Sequence, residues 1–181
     1  MKLYKILSLL LEYPTSELCA HWDDLRDEIL LLDNAVEKEK QSLLDFICWA
    51  ERHVLTKLQE TYVRTFDLTP DNALYLTHHL FEEQDRDRGP TLVELSEFFQ
   101  SEGFAIEGGE LPDYLPLVLE YVSTLEDERG ARLFLKDSSR VAGVIAANLE
   151  SQDSPYAPLL RIVENHGRLT DVAGCQLRAA G

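Results

Sequence analysis

An all-α fold follows from three observations. Apolar residues recur at helical three- and four-residue spacing along most of the chain, no stretch alternates apolar and polar residues between hairpin turns, and proline, glycine or short polar residues fall where the apolar stripes end. The 181 residues suit one domain, since domains cluster near about 100–150 residues and rarely divide below about 250. We expect one helical bundle over residues 1–167 and a loosely attached, flexible tail over 168–181. No self-similarity at solenoid periods accompanies the pattern.

The first helix carries the stripe Leu3, Ile6, Leu7 and Leu10 and is ended by Pro14. Thr15 or Ser16 can cap a second helix running to about Leu32, where Asp33 and Asn34 supply a break. The spacing predicts a long helix from Ala35 to about Phe66 that buries Leu43, Phe46, Ile47, Ala50, Val54, Leu58, Tyr62 and Phe66. The segment Asn72 to Glu83 reads as a further helix, followed by a charged link to Gly89. Pro90 suits the first turn of a helix with Leu92, Leu95 and Phe99, ending near Gly103. Pro112 likewise fits the first turn of a helix whose broad apolar surface, from Leu111 and Leu115 to Val122 and Leu125, marks it as central. Two more segments, about 131–149 and from Pro155 or Pro158 to Gly167, complete the bundle.

With 33 Asp or Glu against 17 Lys or Arg, the chain carries a formal charge of −16. No nucleic-acid partner is expected, because nonspecific binding neutralises phosphates with a cationic surplus that this chain lacks. The 45% of hydrophobic residues separates the chain from disordered acidic proteins. Cys19, Cys48 and Cys175 form an odd, widely spaced set with no CxxC pair, as expected of reduced thiols. The apolar run after Met1 is cut by Ser8, Glu12 and Pro14, too short for an export signal, and no segment reaches the length of a membrane span. A cytoplasmic protein without direct membrane insertion is expected.

His78 and Glu82, four residues apart and beside His79 and Glu83, invite a metal-dependent helical enzyme as one reading. Adjacent histidines diverge by about 100° on a helix, and the Glu-x-x-His pairs of di-iron bundles are missing, so one half-buried and one exposed histidine is the expectation. No nucleophile elbow and no phosphate-cradling glycine loop occur, so we expect no catalytic residue and no metal ligand.

The charge pattern is more informative. Between Gly89 and Glu128 ten acids (Glu94, Glu97, Glu102, Glu107, Glu110, Asp113, Glu120, Glu126, Asp127 and Glu128) occur with no Lys or Arg. Such a block attracts a cationic partner at the cost of self-repulsion. Apolar and aromatic residues interleave with the acids, which points to a groove for an apolar peptide flanked by basic residues. At its centre Glu110-Leu111-Pro112-Asp113-Tyr114 forms a helix entrance, from which Glu110 and Asp113 are expected to project beside Tyr114. A solvated acidic face with a structural cap, or a generic adaptor for basic peptides, is the alternative.

This segment, with Tyr62-Val63-Arg64-Thr65-Phe66-Asp67, Leu74-Tyr75-Leu76-Thr77 and Arg88-Gly89, resembles the NarJ-type assembly chaperones of respiratory nitrate reductase, within the TorD-like family of redox-enzyme maturation proteins. The resemblance runs over residues 1–167 and is most specific over 61–126. It implies a TorD-like helical bundle that binds the N-terminal segment of the apo catalytic (alpha) subunit and keeps it competent for insertion of the molybdenum cofactor. The cofactor itself would not be bound permanently, and cofactor-biosynthesis proteins would be a second class of partner. Where the wider family has Asp-His, this chain has Asp113-Tyr114. Pattern and resemblance together mark Tyr62, Phe66, Tyr75 and Arg88 as client-peptide-binding. Glu110, Leu111, Pro112, Asp113 and Tyr114 join them, as do Leu117, Glu120 and Tyr121.

Overall fold

The structure, a computed structural model, describes residues 1–81, 86–106 and 108–168. Within them ten α-helices follow in chain order and no strand forms: α1 (Lys2–Leu11), α2 (Ser16–Ala20), α3 (Trp22–Leu30), α4 (Glu37–Glu51), α5 (Leu55–Tyr62), α6 (Leu76–Leu80), α7 (Arg88–Ser101), α8 (Leu115–Thr124), α9 (Glu128–Ser151) and α10 (Ala157–Arg168). The all-α bundle expected from the sequence is therefore the fold. Glu82, Glu83, Glu107 and Cys175, singled out in the sequence, and the tail beyond Arg168 lie outside the described residues.

The core is built on two helix pairs, α9 with α10 and α1 with α8. α1 buries Leu3, Tyr4, Ile6, Leu7, Leu10 and Leu11, and α8 answers with Leu115, Val118, Leu119 and Val122. Each such aliphatic side chain removed from water contributes about 1.5–3 kcal/mol, which makes apolar burial the main force holding the pair together. α10 lies tightly on α9 because Gly167 offers no side chain: a Cβ there would stand 2.3 Å from Ser139 Cβ and 2.8 Å from the Leu135 carbonyl. Asp127 caps α9 through the amides of Arg129 (3.1 Å) and Gly130 (2.9 Å).

Several boundaries differ from the sequence reading. The second helix is two, α2 and α3, meeting at His21, and Thr15 caps α2 by accepting from Leu18 N–H at 3.1 Å. The long helix is also two. Arg52 and His53 close tight turns onto Trp49 and Ala50, His53 Nδ1 donates to the Trp49 carbonyl at 2.8 Å, and Val54 turns extended and 71% exposed. The break lets α4 and α5 both face Tyr156, which gathers Phe46, Trp49, Tyr62 and Phe66 into one aromatic cluster. α5 then widens into a π-helical turn, Val63–Asp67, closed by Leu68 N–H on the Val63 carbonyl at 2.9 Å. α7 ends as its composition predicts: Gly103 at φ +75° and the Phe104-to-Phe99 and Gly103-to-Gln100 bonds form a Schellman motif.

The helix entrance is corrected as well. α8 begins at Leu115 with Pro116 at its second position, so Pro112 and Asp113 precede the helix in a turn closed by Tyr114 N–H on the Leu111 carbonyl (3.1 Å). Tyr114 is extended and pairs with Tyr75 in an isolated antiparallel bridge: Leu76 N–H donates to the Asp113 carbonyl (3.0 Å) and Leu115 N–H to that of Leu74 (2.8 Å). Pro116 fits there because the second amide of a helix has no partner within it. Leu111, assigned to the helix stripe, lies outside it and is 39% exposed.

Candidate functional site

A groove of about 600 Å³ opens where the end of α1 meets the 104–120 segment. Glu12, Tyr13 and Thr15 line one wall; Phe104, Ala105, Glu110, Tyr114, Leu117 and Glu120 line the rest. Its geometry is set by α5. Tyr62 Oη donates to the Leu11 carbonyl at 3.1 Å, and Gln59 Nε2 donates to that of Pro14 at 2.9 Å, so α5 pins the chain where α1 ends. Tyr62 also stacks edge-on against Tyr13, with centroids 5.6 Å apart.

The opposite wall hangs on the Tyr75–Tyr114 bridge, whose rings lie 5.3 Å apart. Tyr75 Oη donates to Glu110 Oε1 at 3.0 Å, and Leu111 N–H donates to the same oxygen at 2.9 Å, which fixes that carboxylate beside the groove. Burial and then the Glu110 carboxylate push the Tyr75 phenol up to about 12. Burial, followed by Glu110, also raises the Asp67 carboxyl on the π-helical turn. Glu12 sits above its usual range because it is partly buried and faces Glu120, with Lys5 opposing. Lys5 bridges to Glu120 across α1 and α8. The groove thus holds several carboxylates against one another, with no Lys or Arg among its lining residues.

The twelve residues marked in the sequence occupy three different settings. Glu110, Tyr114, Leu117 and Glu120 line the groove, and Tyr75 and Leu111 adjoin Glu110. Tyr62, Phe66 and Tyr121 are buried at 3–4% exposure and support it from behind: the first two belong to the Tyr156 cluster, and Tyr121 packs on Phe98, Phe99, Phe104 and Phe134. Asp113 does not project into the groove. It is 1% exposed, and its Oδ2 accepts from Thr77 N–H (2.9 Å) and Thr77 Oγ1 (2.6 Å), capping α6 from outside that helix. Arg88 Nε donates to the same Thr77 hydroxyl at 2.9 Å, so Asp113, Thr77 and Arg88 tie together the starts of α6, α7 and the α8 turn. Pro112 is buried in that turn and lines a smaller hollow beside Glu110.

Sequence reasoning missed Glu12, Tyr13, Thr15, Phe104 and Ala105. In the sequence Glu12-Tyr13-Pro14 signals only a helix stop; that Tyr13 is 45% exposed on the groove wall becomes visible in the fold alone. The two histidines differ in setting: His78 is exposed, and His79 is half-buried and donates to the Ala73 carbonyl at 2.7 Å, with burial lowering its pKa. Among the described residues no three His, Cys, Asp or Glu side chains converge as a metal would require. No described helix is long and apolar enough to cross a membrane.

The family model described as nitrate reductase delta subunit matches residues 30–161. The chain belongs to that family. It is 37% identical over 175 residues to the probable nitrate reductase molybdenum cofactor assembly chaperone NarJ of Bacillus subtilis, covering 94% of this chain and 93% of that protein. Against the nitrate reductase molybdenum cofactor assembly chaperone NarJ of Escherichia coli K12 it is 30% identical over 158 residues, 87% of this chain and 66% of the relative. A third relative, the nitrate reductase-like protein NarX of Mycobacterium tuberculosis, is 32% identical over 161 residues, 85% of this chain but 22% of that protein. The family match covers α4 to α9 and part of α10, which includes the Tyr75–Tyr114 bridge and most of the groove.

Proposed function

We propose that this protein is a nitrate reductase molybdenum cofactor assembly chaperone, not an enzyme, acting in the cytoplasm on the apo catalytic subunit. The family membership carries this reading, together with relatives named for that role. In it, the client's N-terminal segment docks in the groove between Tyr13 and Tyr114, its apolar face on Leu117 and Phe104 and its cations on Glu110, Glu12 and Glu120. This is helix-in-groove recognition, in which apolar anchors give affinity and charges give register. Tyr62, Phe66, Tyr121, Asp113 and Arg88 hold the walls rather than touch the peptide. Binding keeps the client open while the molybdenum cofactor enters it, and the chaperone keeps no cofactor of its own.

The test is to express the nitrate reductase catalytic subunit with and without this chain and measure its molybdenum content. Capture of the apo subunit on the tagged chain, in a host that cannot make the cofactor, gives the second readout. Co-capture together with a molybdenum content that depends on this chain is expected. Full molybdenum loading in its absence would exclude the role.

A further inference from the structure

We propose that the client groove turns at Tyr13 into a second stretch, between the end of α1 and helices α2 and α3, which receives the other basic end of the same client segment. This rests on the proposed function and extends it. The second stretch has a volume of about 530 Å³, and its lining residues all precede residue 28 or end on it. Glu12, Tyr13 and Thr15 line both stretches, so the two adjoin along these residues.

The chemistry of the two halves is alike. The second has an apolar floor of Leu9, Leu18 and Leu25 and a rim of Glu17, Asp24 and Glu28; His21 is the one basic side chain among its lining residues, which include no Lys or Arg. Each half already contains one carboxylate matched by a lysine of α1: Lys5 bridges to Glu120 in the first, Lys2 to Glu28 in the second. These two pairs show how the rim takes an ammonium group. Glu17 and Asp24, both exposed, form no ion pair among the described residues, and neither does Glu110 in the first half. The occupant that fits is one segment with an apolar middle and a cation towards each end, its apolar part crossing Tyr13. A peptide confined to the first stretch would leave Leu18 and the Glu17–Asp24 rim without a counterpart.

Calorimetric titration of the full chain tests this with three synthetic peptides: the N-terminal segment of the nitrate reductase catalytic subunit, and two versions in which the Lys and Arg of one end or the other are replaced by Gln. Glu17→Gln with Asp24→Asn should weaken the parent peptide about fivefold, the worth of a partly exposed ion pair. That loss should vanish against one end-neutralised peptide, while the loss from Glu110→Gln with Glu120→Gln vanishes against the other. Unchanged affinity of the Glu17/Asp24 variant, beside a weakened Glu110/Glu120 variant, overturns the second stretch and leaves the proposed function standing. Equal losses against both shortened charge patterns also overturn it, since net charge alone would then be at work. If the wild-type chain binds none of the peptides, the groove assignment and this inference fall together.

Discussion

Tyr62 Oη lies 2.6 Å from Tyr114 Oη while donating its only proton to the Leu11 carbonyl. Tyr114 must therefore be the donor in the pair, and one chain of hydrogen bonds links the α8 turn, α5 and the end of α1 across both walls of the groove. Burial is the main reason that both phenols titrate well above the ordinary range. Tyr62→Phe removes two bonds and leaves a buried carbonyl and a phenol unmatched, a loss of about 1–3 kcal/mol in urea unfolding. Tyr114→Phe leaves the Tyr62–Leu11 bond in place and should cost about 0.5–1.5 kcal/mol.

Asp113 acts on the fold. Its carboxylate accepts two bonds from Thr77 at the start of α6, so Asp113→Asn should lower stability by about 1–3 kcal/mol, the range for buried bonds to a charged acceptor. Glu110→Gln, at a partly exposed position, should unfold like wild type. Equal unfolding midpoints for Asp113→Asn and wild type would contradict the capping role.

A second buried network ties α10 to α1 and α4. His166, 2% exposed, meets Tyr4 Oη through Nδ1 at 3.1 Å and Glu39 Oε2 through Nε2 at 3.3 Å. Burial opposes the charge on Glu39, but its bond and attraction to His166, the Val36 amide and Arg132 outweigh this and hold the carboxyl below its ordinary value. The stability this supplies is present above the ordinary glutamate range and is lost as pH falls through the lowered folded value. Glu39→Gln should flatten the acid side of the stability curve. His166→Ala, which opens a cavity and strands Tyr4 and Glu39, should cost about 2–4 kcal/mol at neutral pH.

Glu12 shows the opposite sign. Partial burial and the facing Glu120 raise its folded pKa above the ordinary 4.5, so the native state binds that proton more tightly than the unfolded chain does. The penalty is full above the raised value and disappears as pH falls to the ordinary one. Glu12→Gln should therefore raise the unfolding midpoint at pH 7 and give no advantage below about pH 4, a crossover readable by thermal unfolding at a series of pH values.

The helices were legible because their signals are local: the α1 stripe, the Thr15 cap, Gly103 at the end of α7. The break at Arg52–Val54 was not, since no proline or glycine marks it and its cause is the shared packing of α4 and α5 on Tyr156, about a hundred residues away. The acids of the groove were legible in Glu110 and Glu120 as part of an unbroken negative block. Asp113 was misplaced because its setting depends on Thr77, which no spacing rule connects to it. Tyr13 and Glu12 went unread for the same reason: the groove exists only where the end of α1 meets a segment some ninety residues later.

The measurement that bears most directly on the account is calorimetric titration of the client's N-terminal peptide against two variants of equal charge change. One is Glu110→Gln with Glu120→Gln in the groove; the other is Glu94→Gln with Glu97→Gln, exposed on α7 within the same acidic block. The account predicts a loss of about 1–2 kcal/mol for the groove pair, because partly exposed ion pairs contribute up to about 1 kcal/mol each, and little for the α7 pair. Equal losses from the two would mean that the peptide responds to net charge alone, and would contradict the placing of the client in this groove.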